Sequence, residues 1–233
     1  MIQVRSFLFL VYFYLMSTMA ALLMLPLLLL PRKAIVAAMS LWGRCVTGGL
    51  RVICGIRMEV RGRENLPAGG VLIAGKHQCM YDIFGGLGFL PDGCFVMRKE
   101  LMRIPFFGWY ALKSRMIVVD RAGHSAALRK LVADAKDRMQ HERQLVIFPE
   151  GTRGQPGKPG DYKPGIAALY RELEMPVVPL AVNTGVHWRP FLRIPGTIVF
   201  EFLPAIPPGL KRAEFMRELQ TRIDTASDAL LTE

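Results

Sequence analysis

His77 and Asp82 stand five residues apart, directly after the apolar run Val71–Ala74 and Gly75. On one helix that spacing separates two side chains by about 140°, because each residue turns the helix by about 100°. The pair can meet only if His77 lies in a turn and Asp82 in the first turn of a following helix. The carboxylate can then accept the Nδ1 proton and leave Nε2 free to take a proton from a hydroxyl. This is what remains of a triad when no serine nucleophile is supplied. A second stretch, Phe148-Pro149-Glu150-Gly151-Thr152-Arg153, follows the run Leu145–Ile147. Arg153 offers a planar fork suited to a phosphate. Gly151 permits a positive φ or close backbone approach, and the Thr152 hydroxyl can donate to the same anion. Glu150, acceptor-only when ionised, suits the role of orienting Arg153. A third stretch runs from Lys99 to Trp109 after the run Cys94–Met97. It supplies a point charge at Lys99 and apolar surface at Ile104, Pro105, Phe106 and Trp109.

These stretches need strand ends to hold them. Apolar or alternating runs at 57–61, 71–74, 94–97, 116–119, 145–148 and 177–183 read as strands. Helical patterns at about 81–90, 125–141, 165–173 and 211–231 lie between or after them. Strands alternating with helices predict an α/β fold, a mostly parallel sheet flanked by helices, with the chemistry at strand ends. No repeat or low-complexity tract interrupts the pattern.

The 233-residue chain is long enough for one α/β domain and an appendage. Its net charge of +11 suits an anionic partner, and its 52% hydrophobic content favours a membrane surface. No nucleic-acid motif appears, which argues against a nucleic-acid partner. Cys45, Cys54, Cys79 and Cys94 form no C-x-x-C pair and have no histidines at zinc spacing, so they read as reduced cytoplasmic thiols and no metal site is expected. From Phe7 to Leu30, 24 positions carry no charge, enough to cross a bilayer. A cleaved signal peptide fits poorly, since the apolar run continues past the small residues Ser17–Ala21. A spanning helix and an interfacial or re-entrant hairpin both fit, and Pro26 and Pro31 favour the hairpin. Lys33, Arg44 and Arg51 fall within about 20° of one helical face, a basic stripe suited to headgroups. Positive charge directly after the apolar run places that side in the cytoplasm. Residues 1–56 are therefore expected to be membrane-anchoring helices and residues 57–233 a catalytic domain.

Together the three stretches resemble the membrane-associated glycerolipid acyltransferases, specifically the bacterial 1-acylglycerol-3-phosphate acyltransferases. The family's His and Asp match His77 and Asp82, and its second block matches Lys99, Leu101, Ile104, Pro105, Gly108 and Trp109. Its F-P-E-G-T-R motif is matched throughout Phe148–Arg153, and a fourth, apolar motif looks like Val177-Val178-Pro179-Leu180-Ala181. Where the family often has Asn and Ser around the histidine, this chain has Lys76 and Cys79. The resemblance implies acyl transfer from an acyl-CoA or acyl-carrier-protein thioester to the free hydroxyl of lysophosphatidic acid, without a cofactor. His77 and Asp82 would be catalytic; Lys99, Gly108, Glu150, Gly151, Thr152 and Arg153 would bind substrate. It also implies an inner-membrane enzyme with its catalytic domain on the cytoplasmic side. The other readings are another acceptor such as glycerol 3-phosphate, a Cys79-dependent thioesterase, or a non-catalytic lipid-binding protein.

Overall fold

The computed structural model describes residues 1–232. The apolar N-terminal run forms one helix, α1 (Ile2–Leu23). A short 3₁₀ turn containing Pro26 follows, and Pro31 stands immediately before α2 (Arg32–Gly49). Proline lacks the N–H a helix interior needs but is tolerated at a helix start, so these two residues place the bend of a helical hairpin. Gly55, with φ 70°, reverses the chain into the sheet.

The remaining elements, in order, are β1 (Ile56–Arg61), β2 (Val71–Gly75), α3 (Tyr81–Phe89), β3 (Gly93–Arg98), α4 (Phe107–Lys113), β4 (Ile117–Val119), α5 (His124–Gln140), β5 (Gln144–Ile147), α6 (Gly165–Leu173), β6 (Val177–Val182), the short α7 (Thr184–His187), β7 (Trp188–Arg189), β8 (Leu192–Arg193), β9 (Gly196–Phe202) and α8 (Arg212–Ala229). Seven strands form one sheet in the order β1-β9-β6-β2-β5-β3-β4. Every neighbouring pair is parallel except β6 with β9. All six strands expected from the sequence are present within a residue or two. β9 is an addition: Thr197-Ile198-Val199-Phe200-Glu201-Phe202 has the β-branched and aromatic composition of a strand, and it inserts between β1 and β6. Two helices are also additions. α4 begins within the stretch from Lys99 to Trp109 and runs on to Lys113, and α7 is a single turn after β6.

The sheet has two covered faces, as a parallel sheet requires. Along β2, Val71 and Ile73 face the layer of α1, α2 and α3, while Leu72 and Ala74 face α5, α6 and α8. The N-terminal helices are thus one wall of the core: Phe9, Ile35, Met39, Val46 and Leu50 share a cluster with Ile73, Phe95 and Phe200. α2 crosses α3 closely at Gly43, where an added Cβ would lie 2.6 Å from the Phe84 carbonyl oxygen. A bidentate pair from Arg32 to Asp92, both N–O distances 2.7 Å, ties the start of α2 to the loop before β3.

Candidate active site

The C-terminal ends of β2, β3, β5 and β6 deliver the loops that carry the motif residues. The backbone leaves β2 at Gly75 and turns through residues 76–80 into α3, with Asp82 its second residue. His77 therefore sits in the turn and Asp82 in the first helical turn, the arrangement their spacing requires. His77 Nδ1 and Asp82 Oδ2 are 2.7 Å apart. The same Oδ2 accepts the backbone N–H groups of Gln78 at 2.7 Å and Cys79 at 2.9 Å, and Oδ1 accepts the hydroxyl of Thr184. A carboxylate offering only acceptors makes Nδ1 the protonated nitrogen, so Nε2 presents its lone pair outward. The imidazole stacks on Phe148, centroids 4.2 Å apart and 18° from coplanar. Asp82 is 3% exposed, and the His77 side chain 12%. The imidazole is reachable while the carboxylate that orients it is sealed from water.

Thr184 was not singled out in the sequence. Its signal was a polar pair, Asn183-Thr184, directly after an apolar strand at the sheet edge that carries the other motifs. Its hydroxyl donates to a buried charge, a type of bond worth about 1.5–3 kcal/mol.

The second motif stretch folds as a short 3₁₀ turn followed by α4. Phe106 lies at φ 62°, and Phe107 N–H donates to the Pro105 carbonyl at 2.7 Å, closing a strained three-residue turn. Gly108 is buried; a Cβ there would approach the Met102 carbonyl oxygen to 2.2 Å. Its observed role is to let the turn pack against α4. Lys99 is exposed and pairs with Asp120 at 2.8 Å, so an incoming phosphate would compete with that carboxylate. Ile104 and Trp109 are exposed.

In the third motif Gly151 has φ 65°, the left-handed conformation that favours glycine. Thr152 and Arg153 are exposed. Glu150 does not orient Arg153. It points inward, 4% exposed, and its Oε1 lies 3.3 Å from Nζ of the buried Lys76. The turn at Gly151 sends the two side chains in opposite directions. Lys76 also bonds Asp224 on α8 at 2.6 Å. Among the described residues, Arg153 has no carboxylate partner. The Gly154 N–H donates to the His77 carbonyl at 2.7 Å, which locks the third motif to the first.

Cys79 is 5% exposed, and its thiol lies 3.8 Å from Asp82 Oδ1. Burial, and then the Asp82 charge, push this thiol far above its ordinary value. A thiolate nucleophile is the reactive species, so both effects oppose that role. Among the described residues no three His, Cys, Asp or Glu side chains converge as a metal-binding group.

This geometry, a buried Asp orienting an accessible His beside a loop bearing an unpaired Arg, can be set against known proteins. Residues 57–183 match the acyltransferase family model. The chain belongs to the acyltransferase family. It is 34% identical over 185 residues to the 1-acyl-sn-glycerol-3-phosphate acyltransferase of Pseudomonas aeruginosa, covering 78% of this chain and 72% of that one. It is 30% identical over 143 residues to the enzyme of the same name from Saccharomyces cerevisiae, covering 60% of this chain and 47% of the yeast protein. The crystal structure of the 1-acyl-sn-glycerophosphate acyltransferase from Thermotoga maritima superposes with a TM-score of 0.82 at 23% identity, over 100% of this acyltransferase and 99% of that chain. At that identity the likeness speaks for the fold alone.

Proposed function

We propose that this acyltransferase moves a fatty acyl group from a CoA or carrier-protein thioester to the free hydroxyl of 1-acylglycerol 3-phosphate, making phosphatidic acid. The observation that carries the reading is the His77–Asp82 contact at 2.7 Å, together with relatives named for this reaction. His77 Nε2 takes the acceptor hydroxyl proton as that oxygen attacks the thioester carbonyl. Asp82 steadies the imidazolium that forms. When the tetrahedral intermediate collapses, the C–S bond breaks and His77 returns its proton to the departing sulfur. The products are an ester and a free thiol. Base assistance of this kind contributes about 10²–10⁴ in rate. Arg153 takes the acceptor phosphate, fixing its hydroxyl near the base. A buried Cys79 that resists ionisation favours direct transfer over an acyl-enzyme.

We infer further that residues 1–54 hold the protein in one face of a membrane. α1 is the one described helix long and apolar enough to cross a bilayer. It is nevertheless fastened along its length: Arg5 to the Ile53 carbonyl, Tyr12 to that of Cys45, Ser17 to Trp42, and the Ala21 carbonyl to Tyr110. A helix docked at both ends lies along the domain instead of projecting from it. Its outward stripe, Val4, Phe7, Leu8, Val11, Leu15, Met19 and Leu22, is apolar and exposed, a face suited to acyl chains. The basic residues Lys33, Arg44 and Arg51 are all exposed, and Arg44 also donates to the Gly88 carbonyl on α3. The cytoplasmic leaflet is the side this charge favours.

The test is an assay of the purified protein in lipid, with acyl-CoA or acyl-carrier protein as donor. Phosphatidic acid should form from 1-acylglycerol 3-phosphate, and His77→Ala should abolish it. Thioester hydrolysis without ester formation, or preferential use of glycerol 3-phosphate, would sink the reading.

A further inference from the structure

Lys76 is the least expected charge in the molecule. It lies at the end of β2, next to the catalytic histidine, with its side chain 3% exposed. Its ammonium donates to Asp224 Oδ1 at 2.6 Å and to the Lys158 carbonyl at 3.2 Å, and it lies 3.3 Å from Glu150 Oε1 as an ion pair. Burial pulls this ammonium's pKa down, but the Asp224 bond and the two negative charges outweigh burial and the net is upward. Lys76 is charged in the folded protein.

Glu150 is closely packed, with its buried Oε1 reached by the Lys76 ion pair and by no hydrogen bond among the described residues. Its carboxyl occupies a slot where a Cβ on Gly154 would come within 2.6 Å of Oε2 and a Cβ on Gly160 within 2.5 Å of the carboxyl carbon. The loop 154–160 wraps the carboxylate, and Gln220 on α8 pins that loop through the Gly160 carbonyl at 2.9 Å. Three residues after Glu150, the guanidinium of Arg153 is exposed and has no acid against it among the described residues. Lys76 is the one cation in ion-pair contact with this glutamate among the described residues, and the neighbouring His77 also lowers its carboxyl pKa when charged. Burial already pushes the Glu150 carboxyl above its usual value, and Lys76 opposes that rise. Without its cation the acid either turns to the nearest other cation, competing with whatever that cation binds, or takes up a proton and leaves Arg153 free. Only the first raises the acceptor KM.

We propose that Lys76 is a positioning residue for the acceptor: by holding Glu150 inward, it leaves Arg153 uncompensated and open to the phosphate. This rests on the reading that Arg153 binds that phosphate. Asp224 supplies the second acid that keeps Lys76 in place from α8, so the phosphate loop is tuned by a residue 148 positions from the lysine.

The test compares Michaelis constants for 1-acylglycerol 3-phosphate and for acyl-CoA, using the full-length protein in vesicles. Lys76→Gln removes the charge while keeping a hydrogen-bond donor. It should raise the acceptor KM about tenfold or more, the loss expected when one charged contact is cancelled, and leave the donor KM within about twofold. Adding Glu150→Gln to that variant should return the acceptor KM close to its starting value, a rescue that loss of folding would not give. Lys76→Arg, which keeps the charge, should stay near the unaltered protein. If Lys76→Gln does not fold, Lys76→Gln with Asp224→Asn removes one uncompensated acid and carries the same prediction. An unchanged acceptor KM, equal rises for both substrates, or no rescue by Glu150→Gln would overturn the proposal. Arg153→Ala separates the two readings. If it leaves the acceptor KM unchanged, the phosphate assignment fails; if it raises that KM and Lys76→Gln does not, only the role of Lys76 fails.

Discussion

In the proposed mechanism His77 owes its usefulness as a base to what Asp82 cannot do. A carboxylate that already accepts two backbone N–H groups and the Thr184 hydroxyl has no donor to offer, so one imidazole tautomer is enforced. His77→Ala should therefore abolish transfer without unfolding the chain, measured as phosphatidic acid formed against an unchanged melting temperature. Thr184→Val leaves Asp82 with an unsatisfied buried lone pair. The expected cost is about 1–3 kcal/mol, divided between stability and a kcat reduced roughly tenfold, with the acceptor KM little altered. Cys79→Ser should keep much of the activity, because the thiol is a buried neighbour of the carboxylate. A covalent acyl group on Cys79 in a mass spectrum taken with donor alone would contradict this.

At the scale of elements, the attachment of α2 decides whether the hairpin behaves as a wall of the core. It is fastened by shape at Gly43 and by charge at Arg32. Gly43→Leu should cost about 1–3 kcal/mol through overpacking against α3. Gly48→Ala, on the same helix with nothing within 4 Å, should be neutral or stabilising by about 0.5–1 kcal/mol. Thermal melts of the two variants in detergent give the comparison. The charged fastening is pH-sensitive. Burial alone would push the Asp92 carboxyl up, but the Arg32 bond and the charges of Arg143 and Arg32 outweigh it and hold it below its usual value. A carboxyl lowered by folding contributes stability above its unfolded pKa of about 3.9 and loses it as pH falls through the folded value. Asp92→Asn should thus lower the melting temperature at pH 6 and flatten its decline below about pH 4.

For the whole molecule, the question is which surface meets lipid. α1 is about 33 Å long, and its two ends are anchored to different elements, one at Ile53 and the other at Tyr110 of α4. Phe191, 90% exposed at the tip of the β7–β8 hairpin, lies at the N-terminal end of α1. Ile104, Trp109 and Leu112 lie around α4, which bonds the other end. Exposed apolar side chains thus stand near both ends of α1. Replacing Phe7 and Leu15 together by Glu should release the protein from anionic vesicles in a flotation assay while leaving its melting temperature in detergent unchanged. Flotation equal to the unaltered protein would show that the contact lies elsewhere.

Local chemistry determined a good deal of this protein. The spacing of His77 and Asp82 admits a single way of meeting, a turn followed by a helix start, and that geometry is a property of 3.6 residues per turn. The apolar runs place the strands because a parallel sheet buried on both faces needs them, and Pro26 with Pro31 places the bend. β9 was missed, although Thr197–Phe202 has the composition of a strand, and its position between β1 and β6 was beyond local pattern, since pairing depends on crossovers that local pattern does not record. Only the tertiary structure decided the partners of the charges. Glu150 sits in the same six-residue motif as Arg153, yet it pairs with Lys76, because the left-handed turn at Gly151 points it inward. Thr184 and Asp224 reach the site from 102 and 148 residues away. Burial makes those contacts strong by excluding water from between the groups, and burial is assigned by the packed layers of the sheet, not by neighbours in the chain.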